Sequence, residues 1–118
     1  MRGLPADTDL SFLIDAVLIQ VCVGENETIL NLHPSMSIMI ASMVQMELPS
    51  GIGSTLEEPR TIGRAILPLL GSSISEVSIV PPGTLRLTWS SGHILNVLDS
   101  WEEFESYTVT NGDTVIVV

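Results

Sequence analysis

The side chains best suited to chemistry are concentrated in one stretch, the acidic aromatic segment of residues 99–107 (DSWEEFESY). This segment holds four of the chain's 14 acidic residues and three of its Phe, Trp and Tyr residues. Carboxylates pair with arginine or lysine on a partner, and large aromatic rings anchor protein interfaces. The residues predicted to bind a partner are Asp99, Trp101, Glu102, Glu103, Glu105 and Tyr107. The alternative is a loop whose Trp101 and Phe104 fill the core while its acids face water.

Catalytic and metal-binding chemistry finds little support in the sequence. His33 and His93 follow strand patterns at turns and lack a ligand spacing to Cys22. The sequence has no nucleophile elbow and no phosphate-binding glycine motif. Glu102 and Glu105 could form a general acid–base pair, although neighbouring surface acids usually serve only solvation. We therefore predict a protein that is not an enzyme and needs no metal or cofactor.

The charge balance restricts the class of partner. Against 14 acidic residues the chain has four arginines and no lysine, which gives a net charge of −10. Nucleic acids and anionic membranes are bound through basic patches, so neither is expected as a partner. A negative surface attracts cationic proteins and speeds their encounter, or else it serves solubility alone.

Cysteine usage and hydropathy indicate the compartment. Cys22 is the single cysteine, and its apolar surroundings predict a small buried side chain in a reducing environment. The apolar stretch 10–23 is flanked or interrupted by Asp7, Asp9 and Asp15, which is unlike a secretory signal. No uncharged apolar run is long enough to span a bilayer. We predict a cytoplasmic protein.

The 118 residues suit a single domain, 1–118, with residues 1–8 as a flexible arm. Asp9 is expected to cap a short helical turn, followed by strands at 16–23 and 28–32 with a turn between them. The apolar run 37–48 (SIMIASMVQMEL) is predicted as one further strand. Methionines at helix-compatible spacing, Met36, Met39, Met43 and Met46, are read either as core filler or as an adaptable binding surface.

A linker (PSGIGS, 49–54) precedes the one helix that the sequence predicts, over residues 55–70. Thr55 and Glu58 have the spacing of a capping box, and Pro59 is compatible with a first turn. Apolar residues recur at helical spacing, at Ile62, Ala65, Ile66 and Leu69. Gly71 is a natural helix end.

The last third of the chain has the clearest strand signals. Residues 74–79 form one strand, and 84–89 alternate so that Leu85, Leu87 and Trp89 share a face. A turn at 90–92 leads into a strand at 94–98. Residues 106–110 and 114–118 are predicted to pair as a hairpin through Asn111-Gly112, because this dipeptide favours a type I′ turn.

A weak internal repeat links the two halves. Leu18, Val21 and Val23 resemble Ile74, Val77 and Ile79 at an offset of 56, and residues 30–32 resemble 85–87 at an offset of 55. Any two hairpins share some of this pattern. The alternative is two related β-meanders joined by the helix and packed on one core. We accordingly predict an α+β fold, mainly antiparallel sheet, with two β-meanders and one principal helix.

Residues Leu69 to Val118 resemble a family of small uncharacterised bacterial domains. The shared pattern is a Leu-Gly helix end, a hairpin, a tight turn, an apolar strand, an acidic segment with an aromatic residue, and a final hairpin. In this chain the tight turn is Ser90-Ser91-Gly92, where aspartate-glycine is commoner in the family. The chain's size and charge also resemble those of immunity proteins encoded beside bacterial polymorphic toxins.

The resemblance implies an immunity protein that binds and neutralises a cognate toxin through a basic surface on the toxin. A second reading is a structural or homo-oligomeric module, such as a homodimer whose contacts are residues 36–46 and the edge at 115–118. A third reading is a small hydrolase, which requires a polar pocket with a perturbed histidine or carboxylate.

Overall fold

The computed structural model describes residues 9–51, 53–81, 83–99, 106–112 and 114–118; the arm predicted for residues 1–8 lies outside this part of the chain. The described residues form strands and one α-helix, with a short 3-10 turn before β1 and another after α1. In chain order the elements are β1 (Val17–Val23), β2 (Thr28–His33), β3 (Met36–Ile40), β4 (Val44–Glu47), β5 (Gly53–Leu56), α1 (Pro59–Ile66), β6 (Ile74–Val80), β7 (Thr84–Trp89), β8 (Ile94–Val97), β9 (Tyr107–Asn111) and β10 (Thr114–Val117).

The strands form two five-stranded antiparallel sheets. Sheet I has the order β1-β2-β3-β9-β10, and sheet II has the order β5-β4-β8-β7-β6. Each sheet therefore combines a three-stranded meander from one half of the chain with a hairpin from the other half. The predicted α+β class, with a mainly antiparallel sheet and one principal helix, is confirmed.

The core consists of the inward-facing residues of both sheets. In β7, Leu85, Leu87 and Trp89 are buried while the residues between them are only half-buried, as the alternation predicted. Ile62 and Ile66 of α1 are buried in the same core. Full burial of one such aliphatic side chain contributes about 1.5–3 kcal/mol, so the sheets are held together mainly by this apolar packing.

The run predicted as a single strand at 37–48 is in fact two strands, because the chain crosses there from sheet I to sheet II. Even-numbered residues remain buried throughout, from Met36 in β3 to Met46 in β4. Ser42 lies at the crossing, and its buried hydroxyl donates to the carbonyl of Leu98 at 2.6 Å. A serine at a core position made the alternation look imperfect. Met39 and Met43 are half-buried.

The helix is shorter than predicted. Thr55 lies in β5 and pairs with Gln45, so the expected capping box is wrong, as is the linker assigned to residues 53 and 54. α1 begins at Pro59, and its N-cap residue Glu58 makes no side-chain capping bond. Pairing with the edge of sheet II extends this segment despite its helix-like signal, which is a tertiary effect. The predicted apolar stripe does face the core.

Backbone hydrogen bonds between the halves follow an internal pseudo-two-fold relation. Leu18 N–H donates to the carbonyl of Ser72 at 3.0 Å, and Ile74 N–H donates to that of Ala16 at 2.9 Å. An offset of 56 residues converts each bond into the other. The same offset relates Asp15 (φ 71°) to Gly71 (φ 86°), the residues that precede the two meanders. The internal repeat is therefore structural.

Both meanders also begin with a β-bulge, between Leu18 and Gln20 in β1 and between Ile74 and Glu76 in β6. Beyond the bulges, Val21 pairs with Leu30, and its counterpart Val77 pairs with Leu87. Leu30 thus corresponds to Leu87, at an offset of 57 residues. The offset of 55 predicted for residues 30–32 is therefore wrong. The turn between the first two strands of each meander accounts for the added residue.

At the two ends of the fold, the predicted C-terminal hairpin forms, whereas the N-cap of the 3-10 turn is Leu10 and not the predicted Asp9. The Asp9 carboxylate accepts hydrogen bonds from the Ser11 hydroxyl and backbone N–H, at 2.7 and 3.0 Å. Both hydrogen bonds lower the pKa of Asp9 below its usual value, and the bond from the Ser11 hydroxyl has the larger effect. The final hairpin forms, but Asn111 pairs with Thr114, so its loop begins at Gly112, one residue later than predicted.

Candidate functional site

The acidic aromatic segment is described only at its two ends, Asp99 and residues 106–107. Trp101, Glu102, Glu103 and Glu105 lie outside the described residues, so their partner-binding roles remain predictions. What the structure does describe is the frame that carries the segment. It runs from the end of β8 in sheet II to the start of β9 in sheet I.

The two ends of the segment are held together. The Ser106 hydroxyl donates to Asp99 Oδ1 at 2.9 Å, which closes the base of the segment. The backbone N–H of Ala41 donates to the carbonyl of Ser106, and the Ser42 hydroxyl donates to that of Leu98. Both ends are therefore fixed to the crossing between β3 and β4.

Tyr107 belongs to the core and not to the surface. Its side chain is fully buried, and its hydroxyl donates to the carbonyl of Gly83 at 2.7 Å. Burial raises the pKa of Tyr107 far above its ordinary value, and the negative charge of Asp99 adds to this shift. The prediction that Tyr107 anchors a partner is therefore wrong for the folded chain. A tyrosine that alternates with buried Val109 on one strand is a core signal that sequence reasoning underweighted.

Within the described part of the chain, the one ion pair lies elsewhere, on the outer face of sheet II. Arg86 Nη1 and Glu47 Oε2 are 3.2 Å apart, and both side chains are partly exposed. Asn96 also donates to the same carboxylate oxygen, at 2.7 Å. Exposed pairs of this kind contribute about 0–1 kcal/mol to stability, so this one mainly orients surface side chains.

Cys22 is half-buried on the outer face of sheet I, so the prediction of a core cysteine is wrong. The bulge in β1 is the reason, because one extra residue reverses which side chains face the core. Beyond it Val21 and Val23 lie on the side of the sheet that faces α1, and Cys22 on the opposite side accepts a weak hydrogen bond from Asn31 at 3.6 Å. The sequence does not mark this bulge with a glycine.

Each histidine lies at a turn, as predicted. His33 ends β2 and is exposed. His93 Nδ1 lies 2.8 Å from the hydroxyl of Ser91, two residues away in the tight turn, which is typical of local turn hydrogen bonds. His93 also lines a largely apolar pocket of about 260 Å³, together with Met46 and Leu56. The described residues contain no group of three or more side chains suited to a metal ion.

A groove between α1 and β1 was not anticipated from the sequence. It has a volume of about 420 Å³ and is lined by Val21, Val23 and Leu67, with Arg60 and Arg64 beside it. Gly63 allows the helix to approach this strand, because a Cβ there would collide with the side chain of Val23. The arginines are one helical turn apart, a spacing that the sequence did contain.

These features describe a two-sheet antiparallel protein that carries an acidic segment on a closed base. The chain belongs to a family of unknown function, DUF6188, which matches residues 13–118. The match covers both meanders, and it agrees with the resemblance of the second half to an uncharacterised domain family. No curated protein and no solved structure matches the chain. Among the described residues, no helix is both long and apolar enough to cross a membrane.

Proposed function

We propose that this chain is an immunity protein that binds and neutralises a cognate bacterial toxin through its acidic aromatic segment. The observation that carries the proposal is the closed base, where Ser106 Oγ and Asp99 Oδ1 are 2.9 Å apart. A segment fixed at both ends loses less conformational entropy on binding than a free loop does. The acidic and aromatic side chains are then presented to a partner by a segment whose two ends are fixed.

Charge supplies the second part of the argument. The net charge of −10 attracts a basic surface over a distance set by the Debye length, about 8 Å at physiological salt. At contact, Glu102, Glu103 and Glu105 pair with arginine or lysine of the toxin, and Trp101 fills an apolar site between them. Many toxins act on anionic substrates, and an acidic plug in such a cleft competes with the substrate. Neutralisation then needs no catalytic step.

The binding test uses Trp101 as its reporter. The chain has two tryptophans, so Trp89→Phe leaves Trp101 as the only one. The protein is titrated with the product of the adjacent gene, and the Trp101 fluorescence and the toxin's activity are followed. We expect both to change at one-to-one stoichiometry. An unchanged spectrum at micromolar toxin, together with full toxin activity, contradicts the proposal.

A matched pair of charge variants separates the segment from the overall charge. Glu102→Gln/Glu103→Gln and Glu57→Gln/Glu58→Gln each remove two negative charges, and residues 57 and 58 are exposed. We expect the first variant to weaken binding about tenfold or more, since a loss of about 1.4 kcal/mol from the two charge pairs together already corresponds to that factor. The second should change it less than about threefold. Equal losses would mean that only net charge matters.

A further inference from the structure

The outer face of sheet I carries no Asp, Glu, Lys or Arg, although the chain has a net charge of −10. None of the strands β1, β2, β3, β9 and β10 contains one of these residues. Strand register places the outward side chains in two rows across all five strands. The mainly apolar row is Cys22, Ile29, Met39, Thr108 and Val117. The mainly polar row is Gln20, Asn31, Ser37, Thr110 and Val115. These rows are the uncharged face.

The pseudo-two-fold relation provides an internal comparison for this face. The strand pairings that define the apolar row recur in sheet II, where the equivalent positions all hold polar or charged side chains. They are Ser78, Arg86, Asn96, Gln45 and Thr55. Ile29 therefore corresponds to Arg86, and Met39 corresponds to Asn96. The same backbone positions accommodate an ion-paired arginine and an amide, so the fold itself does not require apolar residues there.

Apolar side chains kept on an outward face that the scaffold could make polar indicate a contact surface. Val115, at the edge of the uncharged face, is 57% exposed. The bulge residue Ile19, which adjoins the face in β1, is 58% exposed. The described helix α1 packs against the core side of β1 and β2, so it leaves this outer face uncovered.

We infer that the uncharged face is where a second copy of this chain packs, sheet against sheet, around a two-fold axis. A partner that buried a charge against this face would leave that charge unpaired, which is strongly unfavourable. A second copy brings an equally uncharged face. Its amide and hydroxyl row can satisfy the same row of the first copy, since both Asn31 and Gln20 carry donors and acceptors.

The area of the face predicts a weak dimer. Five strands spaced about 4.8 Å apart, with about five residues each, give a face of roughly 400 Å² per copy. Both copies together bury roughly 800 Å², below the standard interface and in the range of transient association. Two copies of charge −10 also repel each other, so screening by salt should favour the dimer. Binding of a basic toxin has the opposite salt dependence.

The test is sedimentation equilibrium from about 10 µM to about 1 mM protein, at about 0.1 M and about 1 M salt. We expect a monomer–dimer equilibrium that tightens at high salt. Ile29→Arg should raise the dissociation constant at least tenfold, while Thr88→Arg, the same charge change on the outer face of sheet II, should leave it within about twofold. A chain that stays monomeric at the highest concentration and salt overturns the inference, and so does equal weakening by both variants.

A second readout guards against misfolding of the arginine variant. Met39→Asn copies the residue that sheet II carries at the equivalent position and should also weaken the dimer. In the unaltered protein, Cys22 lies in the apolar row, so its reaction with a thiol reagent should slow as concentration rises. A reaction rate independent of concentration, measured where sedimentation reports dimer, places the contact elsewhere and overturns the assignment of this face.

Discussion

Alkaline pH should destabilise this protein through a single side chain, Tyr107. The phenol is fully buried, and its hydroxyl donates a hydrogen bond to the carbonyl of Gly83. Ionisation in the folded protein would therefore break that hydrogen bond and leave a buried charge. The pKa of the phenol is consequently raised in the folded state. The unfolded chain ionises normally near pH 10. Above that pH the unfolded state binds fewer protons than the folded state, and stability falls as pH rises.

The size of the effect follows from the proton linkage. The Tyr107 contribution is complete below about pH 10 and is lost at about 1.4 kcal/mol per pH unit above it. The loss is therefore about 1.4 kcal/mol at about pH 11 and about 2.7 kcal/mol at about pH 12. Domains of this kind have a total stability of about 5–15 kcal/mol, so the loss is measurable before unfolding is complete.

Urea unfolding between neutral pH and pH 12 measures this loss, and absorbance of the phenolate supplies a second measurement. Tyr107 is the only tyrosine, so the phenolate absorbance reports on this side chain alone. Tyr107→Phe should lose about 1–2 kcal/mol at neutral pH, because the Gly83 carbonyl loses its donor, but show no slope from Tyr107 above about pH 10. Phenolate absorbance that rises near pH 10 while the protein is still folded would refute the reasoning.

Three further predictions about the packing and the backbone can be tested by urea unfolding. Gly63→Ala should lower the free energy of unfolding by about 1–3 kcal/mol, although alanine has the better helix propensity, because its Cβ would collide with Val23. Adding Val23→Ala should restore most of this loss. If the losses of the two single variants simply add in the double variant, there is no such collision. Trp89→Phe should change stability by only about 1 kcal/mol, since the buried indole N–H has no hydrogen-bond partner among the described residues, and a loss near 4 kcal/mol would imply one. Gly71→Ala should cost about 1–2 kcal/mol while Asp15→Gly costs nothing, and the reverse order would contradict the positive φ angles.

Local pairing was predictable from the sequence, whereas the path between the sheets was not. Alternation located β7 residue by residue, and the Gly112 region located the final hairpin to within one residue. These elements pair with neighbours in sequence, so their signals are local. The crossing at Ser42 depends on Leu98, a partner 56 residues away, and no local pattern specifies it. β5 pairs with its sequence neighbour β4, but its short, mostly exposed segment carries no apolar alternation that would mark it as a strand.

The candidate site was predictable only as a composition. Rings and carboxylates between residues 99 and 107 define it, but the sequence could not show that Ser106 closes the base or that Tyr107 turns inward. Both facts depend on where β9 enters sheet I, beside β3. The uncharged face was missed for a related reason, since it requires strand order and the bulge in β1 before its members can be recognised as neighbours.

The internal symmetry links these observations to function. The two halves share their bulges, their crossing hydrogen bonds and their strand register, so the backbone places the same requirements on equivalent side chains. Where equivalent positions differ in polarity, the difference has a cause other than the fold. At the positions equivalent to the apolar row, sheet II carries polar side chains, among them Arg86, which pairs with Glu47, and Asn96, which donates to the same carboxylate. Sheet I carries isoleucine and methionine at the same places. If this face were always exposed to water, polar residues like those of sheet II would make it more soluble. Its isoleucine and methionine are therefore best explained by a surface that is buried in a dimer part of the time.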